Sequence, residues 1–315
     1  MKVVIVGAGI AGLVAARELV DAGAEVTVVD KGRSVGGRLA TRRIGEARLD
    51  HGAQFFTVRT PAFQHRVDEW LGRGIVHVWN HGFDPADDDG HPRYVATAGM
   101  NSLAKDLATG LHVDTSTMAF TIRPAETDEG RWDVVIDDAS VRSGDAVILT
   151  SPIPQSLALL VDSGVELEGP LMRTEYDRTI GLLATLDGPP ALPETGGVQD
   201  GDAVFSFIGN NRAKGVSSVE AVTFHANPEW SETHWDDDDE LLGLLTAAAT
   251  PWLGSAAILE AQVKKWRLAT PRTLWPDPCW VTAEGSIVLA GDAFAGPKVE
   301  GAHNSGLAAA HALLA

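Results

Sequence analysis

Residues 2–43, "KVVIVGAGIAGLVAARELVDAGAEVTVVDKGRSVGGRLATRR", decide the fold. Residues 2–6 are an apolar run of strand length, Leu13 to Ala22 carry helix-forming residues, and residues 24–30 (AEVTVVD) read as a second strand. Strand, helix and strand within about 30 residues make a parallel βαβ unit. Between the first two elements lies the spacing G-x-G-x-x-G. Gly7 permits the tight turn, Gly9 lets the backbone approach a pyrophosphate, and Gly12 allows the helix to pack closely on the strand. The helix then directs its unpaired N–H groups and positive end at the phosphates. Asp30 closes the second strand, where a carboxylate accepts hydrogen bonds from ribose hydroxyls and disfavours a 2′-phosphate. The hexapeptide alone is also compatible with a turn packed for shape. Its setting between strand and helix, with the acid downstream, points to a dinucleotide.

The same stretch continues with Gly36, Gly37 and Arg38. The glycines allow a second backbone segment near the pyrophosphate, and Arg38 can neutralise a phosphate oxygen rather than serve as a solvated surface arginine. Far downstream, "GDAFAGPKVEGAHNSGLAAA" (291–310) follows the buried run "SIVLAGD" (286–292). Gly301 with Ala302, Ser305 and Gly306 makes a small-residue helix on which a flat ring can lie close to the first turn.

Arg33 to Thr41 resembles the second glycine motif, R-x-G-G-R-x-x-[ST], of flavin amine-oxidase-type proteins, with one extra residue before the doublet. "RLDHGAQFF" (48–56), "GNNRAKG" (209–215), "FHANPEWS" (224–231) and "KKWRLATP" (264–271) resemble the renalase-like bacterial FAD-dependent oxidoreductases of that superfamily. The resemblance is strong at both ends of the chain and carried by short segments in the middle. It implies an α/β protein: a Rossmann-type FAD-binding domain with an inserted mixed-sheet substrate domain, the p-hydroxybenzoate hydroxylase / amine oxidase-like fold. The expected FAD-binding domain comprises 1–60, 97–152 and 281–315, and the substrate domain 61–96 and 153–280. Noncovalent FAD would be held by Gly7, Gly9, Ala11, Gly12, Asp30, Lys31, Gly37, Arg38, Gln54, Phe55, Val113, Gly291, Asp292, Glu300, Gly301 and Ala302. Asp292 would meet the ribityl chain.

The resemblance also implies a reaction: oxidation of isomeric dihydronicotinamide dinucleotides by hydride transfer to flavin N5, with dioxygen reduced to hydrogen peroxide. Such a transfer needs orientation and exclusion of water more than a strong acid or base. No certain catalytic side chain is expected in this flavin-centred chemistry. Trp266, Arg267, His225, Asn211 and Thr179 would lie near the substrate, against the plainer reading of core tryptophan and hydrogen-bonded histidine. Oxidation of a small amine is the alternative. Known amine oxidases of this fold frame the flavin with aromatic residues, often tyrosines, near the C-terminal segment, and this chain's only tyrosines, Tyr94 and Tyr176, lie elsewhere. A non-catalytic flavin-binding sensor or scaffold is the reading from another class.

The remaining composition narrows partners. A net charge of −18 argues against nucleic acid or an anionic membrane surface. No apolar run reaches the roughly 18 residues of a membrane span. The resemblance implies a small-molecule substrate and dioxygen as partners, in a cytoplasmic setting that the single cysteine, Cys279, fits. Cys279 reads as an inert packed thiol. No metal site is expected: His77 and His81, with Asp87–Asp89 and His91, lack a helical ligand pattern. Along the middle, helices are expected at 61–74, 100–110, 156–163 and within 228–254 with Ser231 as cap. Acids 236–240 suit a helix start, and "DPADDDGHP" (84–92) reads as a polar turn. Strands are expected at 75–80, 111–124, 131–138, 145–152, 178–187, 203–208, 217–225 and 262–269.

Overall fold

A computed structural model describes residues 1–83, 90–126 and 130–315. The centre of the expected turn at 84–92, with Asp87–Asp89, lies outside the described residues. The chain divides into two compact units: Met1–Arg38, Leu103–Tyr176 and Thr270–Ala315 in one, Leu39–Ser102 and Asp177–Ala269 in the other.

The first unit is the Rossmann sheet. Strand Lys2–Val6 lies between Glu25–Val29 and Ala146–Leu149, and Val113–Asp114 and Ile287–Leu289 extend the sheet on either side, all parallel. Trp280–Val281 adds an antiparallel edge. The central strands are buried on both faces, which is why they read as unbroken Val/Ile/Leu runs. The helix Ile10–Asp21 packs against the C-terminal helix Lys298–Leu314, Gly306 meeting the Ala11 backbone. Both ends of the sequence thus share one layer.

The expected strand at 111–124 is two. Val113–Asp114 joins the Rossmann sheet, and Ala119–Pro124 joins a three-stranded antiparallel sheet with Trp132–Ile136 and Val141–Gly144. The break falls at Ser116, with φ 54°, where Ser116 and Thr117 N–H groups turn away to the carbonyls of Gly32 and Asp30. The expected helix at 156–163 runs instead over Ile153–Leu159, because proline is tolerated in a first turn.

The second unit is built on an antiparallel sheet in the order Gly197–Gln199, Phe205–Asn210, Ala221–Ala226, Tyr176–Leu186 and Ile258–Pro271. Helix Leu241–Leu253 lays Leu241, Leu245, Ala249 and Leu253, spaced by four, on the face that carries Ile180, Leu182, Ala184 and Phe224. The 228–254 stretch is two helices, Pro228–Thr233 and Leu241–Leu253. Asn227, not Ser231, caps the first, accepting from Trp230 N at 2.8 Å. Buried Ser231 instead accepts from Ile180 N at 3.0 Å.

The compact units divide the chain elsewhere than the expected domains. Residues 39–60 and 97–102 group with the antiparallel sheet, because Ile44, Ala47 and Leu49 bury themselves against Leu183 and Ala221. Residues 153–176 and 270–280 group with the Rossmann unit, where Tyr176 Oη accepts from Ile153 N at 3.1 Å.

Candidate functional site

The three glycines of the first loop do different physical work. Gly7 has φ +111°, and a Cβ there would meet Thr150 Oγ1 at 2.5 Å. A Cβ on Gly12 would stand 2.0 Å from the Gly7 carbonyl oxygen. These two are required by the fold itself. Gly9 is different: its φ of −75° suits any residue, and among the described residues no atom lies within 4 Å of a Cβ built there. That open space fits the close backbone approach that a pyrophosphate requires. Gly9 caps its helix without a side-chain hydrogen bond, so the first-turn N–H groups and the positive helix end are open to an anion. Ala11, in that turn, is buried.

The second loop is joined to the first. Gly36 N donates to Ala8 O at 2.8 Å, and a Cβ on Gly37, at φ +53°, would lie 3.6 Å from Gly9 Cα. Asp30 braces both loops, accepting from Ala8 N and Gly32 N, each at 2.6 Å. A carboxylate has further acceptor positions, so this bracing leaves capacity for a ribose hydroxyl. Lys31 reaches Gln155 Oε1 at 3.3 Å on the surface, and Val113 pairs with Val28 at the sheet's edge.

Arg38, expected at a phosphate oxygen, is bound in a two-pronged ion pair with Asp292, both N···O distances 2.7 Å. The planar fork of guanidinium and carboxylate explains the choice. The pair links the second glycine loop to the GD motif, and Arg38 also lies 5.9 Å from the centre of the Tyr176 ring. Burial, with the Asp292 charge, pushes the Tyr176 phenol up to about 12. Tyr176 is thus beside the C-terminal motif in space, a proximity its sequence position hides. Gly291 N donates to buried Ser305 Oγ at 2.8 Å, fixing the GD turn to the C-terminal helix. That helix starts at Lys298, not Gly301. Glu300 is in its first turn, Ala302 is buried, and a Cβ on Gly301 would collide with Gly296 O at 1.6 Å.

In the second unit the expected substrate residues are sorted by a buried ion pair. Asp50 and Lys214 have side-chain exposures of 0%, and Lys214 Nζ donates to Asp50 Oδ2 at 3.0 Å. The other Asp50 oxygen accepts from Thr41 Oγ1 at 2.6 Å and Met100 N at 2.8 Å. Lys214 also reaches Gln54 Oε1 at 3.2 Å, while Gln54 Nε2 donates to the carbonyls of Asp50 and Gly52. Gln54, expected at FAD, is therefore engaged within its own loop. Asn211, expected at the substrate, accepts from Asp50 N at 3.1 Å and donates to Thr223 Oγ1 at 3.0 Å, so it too is a brace. Phe55 packs among Trp79, Phe83 and Phe207, with ring centres 5.2–6.3 Å away.

This scaffold presents one carbonyl, that of His51, to two side chains. Trp266 Nε1 donates to it at 2.6 Å, and His225 Nε2 lies 3.2 Å away. A carbonyl only accepts, so His225 carries its proton on Nε2. The His51 ring stacks on Trp266 at 5.4 Å between centres and 24° between planes. Burial holds both imidazoles down at about 4; the Lys264 charge adds to this at His51. Among the described residues, His51 Nδ1 is buried without a hydrogen-bond partner. Gly181 stands opposite His225, where a Cβ would lie 3.3 Å from the ring, and Thr179 shares the Gly181 face of its strand. Arg267 is exposed, and strand alternation turns it to the face opposite Trp266. Asp50, His51 and Lys214 were not singled out by sequence reasoning. The acid and the histidine sit in the quoted "RLDHGAQFF" segment, but the lysine of "GNNRAKG" looks like a surface turn residue.

Elsewhere, His77 Nε2 donates to Lys214 O at 2.9 Å. Tyr94 stacks on Phe56 at 5.5 Å in the core. Burial and the Asp277 charge push the Cys279 thiol up, away from the thiolate.

Residues 5–70 match the model of the NAD(P)-binding Rossmann-like domain, and residues 78–314 that of flavin containing amine oxidoreductases. The chain belongs to the flavin containing amine oxidoreductase family. Mouse (Mus musculus) renalase is 28% identical over 172 residues, 51% of this chain and 50% of renalase. A Mus musculus L-amino-acid oxidase is 57% identical over 74 residues, 24% of this chain and 11% of that protein. The chain thus matches about half or less of the length of these relatives. A putrescine oxidase structure with bound putrescine shares the fold at TM-score 0.69 and 15% identity, covering 100% and 99% of the two chains. An oxidoreductase from Methanosarcina mazei does so at 0.63 and 12%, covering 98% and 99%. Within this family of flavin oxidoreductases, FAD is the dinucleotide expected in the glycine cradle, and the bare Gly9, the open helix end and the Gly37 approach fit it. Among the described residues no helix is long and apolar enough to cross a membrane, and no cluster of three metal-ligating side chains occurs.

Proposed function

We propose that this protein is an FAD-dependent oxidase of renalase type, converting 2- or 6-dihydro-NAD(P) isomers to NAD(P)+ with formation of hydrogen peroxide, in the cytoplasm. The cofactor belongs with the Rossmann unit and the substrate with the antiparallel-sheet unit. The observation that carries this reading is the His51 carbonyl with its two donors. Trp266 and His225 are held in fixed orientation by it, and both imidazoles of the cluster are neutral at neutral pH. Such a wall orients a planar ring and excludes water without offering a strong base. A dihydronicotinamide needs no proton removed before it yields hydride, whereas an amine must be deprotonated first. When bound, FAD supplies the two-electron acceptor and the path to dioxygen. The 28% likeness to mouse renalase supports the same reading.

Oxidation of a small amine is the second reading, favoured by the family match and by the fold shared with putrescine oxidase. Anaerobic mixing with α-NADH or partially isomerised NADH distinguishes the two. Rapid bleaching of the flavin followed by peroxide on admitting air is the expected result. Bleaching by amines alone would replace the first reading with the second, and a protein that retains no flavin would defeat both.

A further inference from the structure

The hairpin Thr41–Ile44/Ala47–Asp50 sets Arg43 directly opposite Arg48. Directly opposed residues share one face of a strand pair, with Cβ atoms about 5 Å apart, and like charges there are destabilising. In a chain with 43 acidic residues against 25 basic ones, such a pair would find a carboxylate easily. Yet among the described residues neither guanidinium has one as ion-pair partner. Both line a groove of about 530 Å³, together with Thr97, Gly215, Ser217 and Ser218. Glu46, in the hairpin's turn, lines it as well without pairing to either arginine. The groove is built rather than incidental. Arg48 N donates to Ser217 Oγ at 3.3 Å, and Ser217 Oγ donates to Val219 O at 2.8 Å, which ties hairpin and turn together.

The volume is that of a small-molecule site, but the walls are polar, with Val216 the one large apolar residue among them. The groove therefore suits a charged guest. Two unpaired guanidiniums on one face match oxyanions, which they bind by paired charge-assisted hydrogen bonds. We propose that this groove binds a phosphorylated small molecule through Arg43 and Arg48. None of its lining residues belongs to the cofactor cradle or the His51 cluster, and the inference does not rest on the dihydronicotinamide reading.

The test uses the full-length, FAD-saturated protein and inorganic pyrophosphate, titrated calorimetrically at constant ionic strength. Saturable 1:1 binding is expected, weakened about a hundredfold or more in R43Q/R48Q, since each charge-assisted hydrogen bond to a guanidinium is worth a factor of about ten or more. R43E guards against a folding artefact. It converts the opposed pair into an ion pair with Arg48, so it is expected to unfold at or above the wild-type temperature while losing pyrophosphate. ADP in place of pyrophosphate separates a nucleotide guest from bare phosphate, and Arg43-dependent binding of either upholds the site. Absence of saturable binding by both probes, or undiminished binding in R43E, overturns it.

Discussion

Asp50 and Lys214 are both fully buried, so each carries a desolvation cost that the opposite charge of the other offsets, with hydrogen bonds to the neutral groups of Thr41, Met100 and Gln54 adding to that offset. Burial pulls the Lys214 ammonium down, while the Asp50 carboxylate opposes that shift by charge and hydrogen bond. Their yield is positional: they fix the loop from Asp50 to Gln54, and with it the His51 carbonyl that Trp266 and His225 share. Lys214→Met should cost about 3–5 kcal/mol, because Asp50 is then a buried charge without a counterion. The double variant D50N/K214M should recover part of this loss. Urea unfolding of the four proteins in a double-mutant cycle measures the coupling, and strict additivity would mean that the pair does not act as a unit.

Among the elements, the strand–loop–helix at the N-terminus holds two glycines that packing requires, Gly7 and Gly12, and one, Gly9, that it does not. Gly12→Ala places a Cβ 2.0 Å from Gly7 O and should destabilise by about 1–3 kcal/mol, or more if the helix cannot shift. Gly9→Ala meets nothing within 4 Å and has an ordinary φ, so the fold should lose no more than about 0.5 kcal/mol, or gain slightly through the unfolded chain. Its FAD affinity should nonetheless fall at least about tenfold, because the methyl occupies the path of the pyrophosphate. Thermal unfolding of the apoproteins and fluorescence titration with FAD give the two readouts. A Gly9→Ala protein with unchanged affinity would remove the cradle from the phosphate. The βαβ unit itself was legible because its information is local: period, glycine spacing and a terminal acid all lie within one stretch. The partnership of Arg38 with Asp292 was not, since both residues individually suit a flavin site and only the fold makes them each other's counterion.

For the whole molecule, acid sensitivity follows from the two neutral histidines. Their folded pKa of about 4 lies below the ordinary 6.5. As pH falls through 6.5 the unfolded chain takes up protons that the folded chain refuses until about 4. Stability is therefore lost across that window, by up to about 1.4 kcal/mol per pH unit for each histidine. His225→Gln should flatten the slope of unfolding free energy against pH between 6.5 and 4 by about that amount, and an unchanged slope would mean that His225 is protonated in the native protein. At this scale the sequence by itself determined the Rossmann half, the dinucleotide and the convergence of both chain ends on one sheet, because buried parallel strands and phosphate loops write themselves as contiguous patterns. Tertiary structure alone decided that Asn211 and Gln54 brace the loop that begins at Asp50, and that Asp50, Lys214 and His51 organise the second unit. Those roles depend on side chains more than a hundred and fifty residues apart meeting where water is excluded. A buried charge is recognised by its counterion and its desolvation, and neither exists until the chain has folded.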